Sequence, residues 1–204
     1  MRKTLVCIMM IGAVLWMGQS LYAHPQSCAN CHVPHNAAKA TDPKASWGVP
    51  LWNTQYTSNM PTFTLYSSPT FSALGTDIAQ PNGSSKMCLG CHDGTYSTFQ
   101  NSPANPMNFG TDLSTSHPIS FTYDSALAGR TPIPGDLRDP SVALSGLPGG
   151  GTIAQDLLDE KGMMQCTSCH DIHANNPDTT YSLRYAWNPS SGNDAVMCQV
   201  CHNK

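Results

Sequence analysis

Charge is scarce in this 204-residue chain, where Asp, Glu, Lys and Arg make up 11% of the sequence against about 25% in ordinary soluble domains. Positive charge is scarcest, with ten Lys and Arg against thirteen Asp and Glu. So little basic character argues against a nucleic-acid partner, because phosphate backbones are held by clustered cations. Cysteine for ordinary disulfides is missing as well. Of nine cysteines, eight fall in four Cys-x-x-Cys pairs, and the ninth, Cys7, lies in the N-terminal segment. Beyond residue 23 the chain has no apolar run long enough to cross a membrane, which takes about 20 residues. Long helical runs are also lacking. Sixteen Gly and sixteen Pro, with plentiful Ser, Thr and Asn, favour turns and extended coil. The expected fold is mostly irregular coil with a few short α-helices and minimal β-structure around a modest aliphatic core.

The N-terminus carries an export signal. Arg2 and Lys3 form a basic start, Leu5 to Met17 an apolar stretch, and Leu21-Tyr22-Ala23 a small-residue cleavage site. Residues 1–23 read as a signal peptide and 24–204 as a single domain, exported to the periplasm or the extracellular space. The alternative is a retained anchor, for which the apolar stretch is short. Cys7 lacks the small-residue context of a lipoprotein site and leaves with the signal. Eight basic residues then stand against thirteen acidic ones.

What the chain does have is one pattern four times over: Cys28-Ala29-Asn30-Cys31-His32, Cys88-Leu89-Gly90-Cys91-His92, Cys166-Thr167-Ser168-Cys169-His170 and Cys198-Gln199-Val200-Cys201-His202. Cys-x-x-Cys alone also serves redox and zinc sites. With the histidine directly attached, it is the attachment signature of a c-type haem, in which both thiols bond the porphyrin and the histidine binds iron. The cysteines Cys28, Cys31, Cys88, Cys91, Cys166, Cys169, Cys198 and Cys201 would thus hold four haems covalently, and His32, His92, His170 and His202 would be proximal ligands. Propionates would make the assembled protein more acidic still, and the haems would supply much of its core.

Eight histidines are present. The four outside the motifs, His24, His35, His117 and His173, match four irons that need a second ligand. His35 and His173 each follow their motif histidine by three residues. From there they reach a neighbouring haem more easily than the far face of their own. Pro34 disfavours a helix at that point, so His35 would swing out from a turn. Motif two has Thr95 in the corresponding place and needs a ligand from elsewhere. His117 is the best candidate, because Pro118 biases it towards an extended backbone that presents a side chain from a loop. His24 would be the first residue after cleavage and could bind iron in its own or a neighbouring subunit. Met87, Met164 and Met197 precede motifs two to four. They suit packing against flat apolar surfaces, with an axial methionine as the alternative.

Between the motifs, residues 36–87 hold Trp47, Leu51, Trp52, Tyr56, Phe63, Tyr66 and Phe71. Packing on porphyrin is the plainer reading of these aromatics, and electron relay the sharper one. Thr62 to Tyr66 alternates in the manner of a short strand, and Phe121 to Tyr123 forms a second. Ser84 or Ser85 would cap a short helix carrying motif two, ended at Asp93 and Gly94. Thr131 to Gly151 reads as surface loop. Ile153 to Met164 has helical spacing and would deliver motif three. Asn193 or Asp194 would start a last helix carrying motif four.

The repeated motif, the two Cys-His-x-x-His doublets, Cys88 to Thr95 and Ser116-His117-Pro118-Ile119 together resemble the doubled-CxxCH family of multihaem c-type cytochromes, over all of residues 24–204. Within that family the chain is similar to secreted tetrahaem cytochromes of metal-reducing bacteria, whose subunits polymerise into extracellular filaments. The resemblance implies a multihaem cytochrome fold, bis-histidine iron, electron transfer without enzymatic turnover, and redox proteins or extracellular acceptors as partners. It also implies a homopolymer, in which His24 or His35 is the ligand to suspect of crossing between subunits. Small periplasmic tetrahaem cytochromes are shorter and richer in lysine. A soluble periplasmic shuttle and a reductase of a small nitrogen compound, which needs one open haem, remain the alternatives. The mature chain is expected to begin at His24 by N-terminal sequencing and to give a haem-dependent stain on a denaturing gel. A stain-negative band would leave the motifs to zinc or disulfide chemistry.

Overall fold

Two residues on each side make the only regular sheet among the described residues. Phe121–Thr122 (β1) pairs antiparallel with Met163–Met164 (β2), with Phe121 opposite Met164 and Thr122 opposite Met163. The structure is a computed structural model that describes residues 28–35, 37, 51–73, 75, 78–94, 108–173, 182–185 and 196–203. The expected signal peptide, His24, Trp47, Thr95 and the helix start at Asn193 or Asp194 lie outside these residues. The helices are Cys28–Cys31 (α1), Gly83–His92 (α2), Ser125–Gly129 (α3), Ile153–Asp156 (α4), Cys166–Cys169 (α5) and Val196–Cys201 (α6), with a 3-10 turn at Thr54–Tyr56. Coil thus dominates, and every described helix is short. None is long and apolar enough to cross a membrane.

The sheet sits at the centre of the larger apolar cluster. Phe121, Tyr123, Leu127, Ala128, Ile153, Leu157 and Met164 are buried together, with Phe71 edge-on to Phe121 at 5.2 Å. A smaller cluster, Phe63, Leu89 and Leu113, packs under α2. Met164 lies inside the larger cluster, so this methionine serves packing.

Two expected elements differ. The helix expected over Ile153 to Met164 stops at Asp156. A capping box at Thr152 and Gln155 starts it well. Asp159 then collects the backbone N–H groups of Lys161 and Met163, and Gly162 turns at φ 71°. That turn feeds Met163 into the sheet, and the strand pairing outweighs helical periodicity. The strand expected over Thr62 to Tyr66 reduces to a single bridge between Thr64 and Asp112. The chain on either side is occupied elsewhere, for Gln80 takes both the N–H and the carbonyl of Phe63.

Helix α2 ends as expected. Asp93 closes it with N–H to Leu89 O, and Gly94 follows at φ 80°, where an added Cβ would lie 2.5 Å from the Asn108 amide oxygen. Its start differs. Asn82 occupies the cap position, while Ser84 and Ser85 turn their hydroxyls away to α5. Ser84 Oγ meets Thr167 Oγ1 at 2.6 Å, and Ser85 Oγ accepts from Cys166 N at 2.9 Å. Beside them Gln165, 2% exposed, donates to Asn82 Oδ1 and Asp159 Oδ2, each at 2.8 Å, and accepts from Ser120 Oγ at 3.1 Å. A buried polar group stripped of its partners costs about 1–3 kcal/mol. Gln165→Ala should therefore lower stability by about 2–4 kcal/mol in denaturant titration. Ser68→Ala, which removes only an exposed hydroxyl, should stay within about 0.5 kcal/mol.

Candidate cofactor-binding site

Each motif is a single helical turn. In motifs one, three and four the histidine N–H returns to the carbonyl of the first cysteine, at 2.8, 3.0 and 2.8 Å. Positions i, i+3 and i+4 share a helix face, so both thiols and the imidazole leave the turn on one side. Motif two has the same residues at the end of the longer α2.

The three single-turn motifs share a further device. A short extended segment crosses each turn and makes the same two backbone bonds. Asn53 N donates to Cys31 O, Arg184 N to Cys169 O and Arg138 N to Cys201 O, at 2.9, 2.9 and 2.8 Å. In return Val33 N donates to Leu51 O, Asp171 N to Ser182 O and Asn203 N to Asp136 O, at 2.8, 2.7 and 2.8 Å. The residue between the two bonds, Trp52, Leu183 or Leu137, bridges the motif histidine. These clasps carry strain. Leu51 and Ser182 stand at φ 54° and 56°, and Gly135 precedes the third clasp at φ 81°. A left-handed residue other than glycine costs about 1–2 kcal/mol, which the paired bonds offset. Motif two is held differently, by Phe109 N donating to His92 O at 2.8 Å, with the Phe109 ring 5.9 Å from the imidazole.

The motifs lie side by side in chain order. Burial pushes the Cys91 thiol up to about 11, and the charges of Cys31 and Asp93 add to it. The neighbouring thiol of Cys166 holds Cys88 well above a normal thiol, and Cys88 in turn lowers Cys166. Burial raises Cys169, with Cys166 and Cys198 adding, and it raises Cys201 to about 12, with Cys169 and Cys198 adding. Motif one therefore neighbours motif two, two neighbours three, and three neighbours four. All eight described cysteines are free thiols. Among the described residues no three His, Cys, Asp or Glu side chains converge as a bare metal ion would require.

The histidines do meet in pairs. His32 of motif one faces His173 from the tail of motif three, with centroids 6.2 Å apart and planes 26° apart. His117 faces His202 of motif four at 6.4 Å and 79°. Imidazole nitrogens bind first-row metals at about 2.0–2.1 Å, and each ring centroid lies about 1.1 Å behind its nitrogen, so two imidazoles trans across one metal hold their centroids about 6.3 Å apart. Both pairs have this spacing. His117 Nδ1 lies 2.9 Å from Pro118 O. A carbonyl only accepts, so this bond assigns the proton to Nδ1 and leaves the Nε2 lone pair for a metal. Buried Ser120, at φ 57°, ties the same loop to Met164 O through its N–H and to Gln165 through its hydroxyl.

The expected partner for motif two is thus set beside motif four instead. The extended backbone at His117 was legible, but its destination was not. It depends on the sheet, which turns the loop after Ser116 towards α6. His173 reaches another motif, as its doublet position implies. His35 stands exposed in the bend after α1, beyond the reach of a helical reading because α1 ends before Pro34. Exposed Leu51, Phe109 and Val196 flank motifs one, two and four, an apolar fringe that suits a flat apolar ligand. Phe109 and the clasp residues Arg138 and Arg184 are additions to the expected set. The dipeptide Leu-Arg, which occurs only at these two places in the sequence, was the available signal.

If these imidazole pairs bind iron, His117→Ala and His173→Ala should each convert one ferric centre from low to high spin, read by electron paramagnetic resonance. Unchanged spectra would remove those residues from the ligand set. No protein-family model matches the chain, and no curated protein matches it significantly.

Proposed function

We propose that this chain is a tetrahaem c-type cytochrome that carries electrons along a row of four bis-histidine haems. The observation that carries the reading is the pairing of His32 with His173 and of His117 with His202 at the spacing of a six-coordinate metal, each at a motif built to bond a porphyrin edge. Bound haem supplies the one-electron iron couple. The chain supplies the rest. The cysteine pairs would hold the porphyrin edges, the paired imidazoles would bind the iron, and the contiguity of the motifs would keep neighbouring cofactors close. Iron held by two imidazoles would have no position for substrate, which favours transfer over turnover. His92 and His170 then draw on the two remaining histidines, His24 and His35.

The favoured form is a secreted subunit of an extracellular filament, with redox proteins or extracellular electron acceptors as partners. Its support is the resemblance of the motif pattern together with the exposure of His35 beside motif one, where a second copy can meet it.

Electron paramagnetic resonance of the purified ferric protein should show four low-spin centres and no high-spin signal. A high-spin centre would favour a reductase with one open haem. Electron microscopy of the secreted material should show filaments, whereas a persistent monomer with four low-spin haems would favour a periplasmic shuttle.

A further inference from the structure

The three clasps are alike in backbone and unlike in charge. In motif four, Arg138 places its Nε 3.0 Å from Gln199 O, the residue after the first cysteine. In motif three, Arg184 places its Nε 2.7 Å from Thr167 O, the same position of that motif. Each guanidinium is thus fixed on the carbonyl face of the turn that carries the cysteines, where a helix terminus welcomes a cation. Motif one has neutral Asn53 in this place, its Oδ1 accepting from Gln55 N. Motif two has no such clasp and is followed directly by the buried carboxylate of Asp93.

The arginines also differ from each other. Arg184 Nη1 lies 3.6 Å from Asp171 Oδ2, so part of its charge is shared. The carboxylate nearest Arg138 in sequence, Asp139, accepts instead from Ser125 Oγ, Ser141 Oγ and Ser141 N. Both guanidinium charges therefore lie against the backbone of their motifs. Once the thiols are bonded to a porphyrin they carry no charge, and the guanidinium remains as a fixed charge beside the cofactor.

We propose that Arg138 and Arg184 are potential-setting residues: they raise the reduction potentials of the cofactors at motifs four and three above those at one and two. This rests on the tetrahaem reading above. The reason is electrostatic. Reduction lowers the net charge of a haem by one, and a fixed cation nearby stabilises the reduced form. Arg138 is exposed, so water screens part of its charge, whereas half-buried Arg184 shares part of its charge with Asp171. The row is therefore graded, and electrons rest preferentially at motifs three and four.

The test is a spectroelectrochemical titration of the full-length, haem-loaded protein, with haem content measured separately as the pyridine haemochrome. Arg138→Gln should move one of the four midpoints down and leave the other three in place, while Arg138→Lys, which keeps the charge, should retain it. Arg184→Gln should move a different midpoint down. Asn53→Arg, which installs the missing charge at motif one, should move one midpoint up, and it tests the idea even if an Arg138 variant fails to assemble. Unshifted midpoints in Arg138→Gln or Asn53→Arg would overturn the inference, as would equal shifts in Arg138→Lys and Arg138→Gln, which point to geometry rather than charge. Wild-type protein without haem overturns the underlying reading. Four haems with unshifted midpoints overturn this inference alone.

Discussion

The buried polar contact between α2 and α5 constrains everything around it. Gln165, Ser84, Ser85, Asn82 and Ser120 tie the start of the motif-two helix to the start of the motif-three helix. Polar groups in a low-dielectric interior are costly unless fully satisfied, so this network has one good arrangement. In it, Cys88 and Cys166 are neighbours, and the middle of the motif row is fixed. Ser120 extends the constraint through β1 and β2 to the His117 loop, and so to motif four. Apolar packing of comparable size would tolerate small slippage between the helices, whereas hydrogen bonds of 2.6–3.1 Å do not.

That rigidity is needed because the aliphatic core is small. Its two clusters sit beside the motif row, with Leu89 of motif two inside one and Val200 and Cys201 of motif four packed against the other. Leu51, Phe109 and Val196 remain exposed beside motifs one, two and four, although apolar area is worth about 25 cal/mol per Å² when removed from water. Among the described residues, with short helices and one two-residue sheet, the motifs are held in place by local clasps and a polar clamp rather than by the regular layers that usually do this work.

Much of the site was legible in the sequence, because its chemistry is written in contiguous residues. Cys-x-x-Cys-His needs only one helical turn to put thiols and imidazole on one face. The loop character of Thr131 to Gly151 and the end of α2 at Asp93-Gly94 also followed from local chemistry. What was not legible depended on partners distant in sequence. Ile153 to Met164 has helical periodicity, but Asp159 and Gly162 turn it so that Met163 and Met164 pair with Phe121 and Thr122. Ser84 and Ser85 look like caps, yet they bond α5 across 81 to 83 residues of chain. The loop position of His117 was readable, but its placement beside His202 was not. The clasps were invisible because they are backbone bonds, with only the Leu-Arg pair as a trace.

The crossing of His173 to motif one has a consequence for assembly. If each motif held both ligands itself, cofactors could be seated one at a time on an otherwise unfolded chain. Here the tail of motif three completes the pair at motif one, and the loop before β1 completes the pair at motif four. Histidine pairs drawn from distant segments form only when those segments are docked, so in the proposed tetrahaem reading metal binding and folding become one equilibrium. The clasps and the clamp bear the cost of that docking in advance, including left-handed Leu51, Ser120 and Ser182. Strain of about 1–3 kcal/mol per residue persists only where the surroundings over-determine it. Here each of the three strained residues lies within three positions of a residue that bonds or bridges a motif or pairs with its histidine. The local strain and the long-range pairing are therefore parts of one design, in which a chain with a small apolar core is ordered by paired contacts at its four motifs.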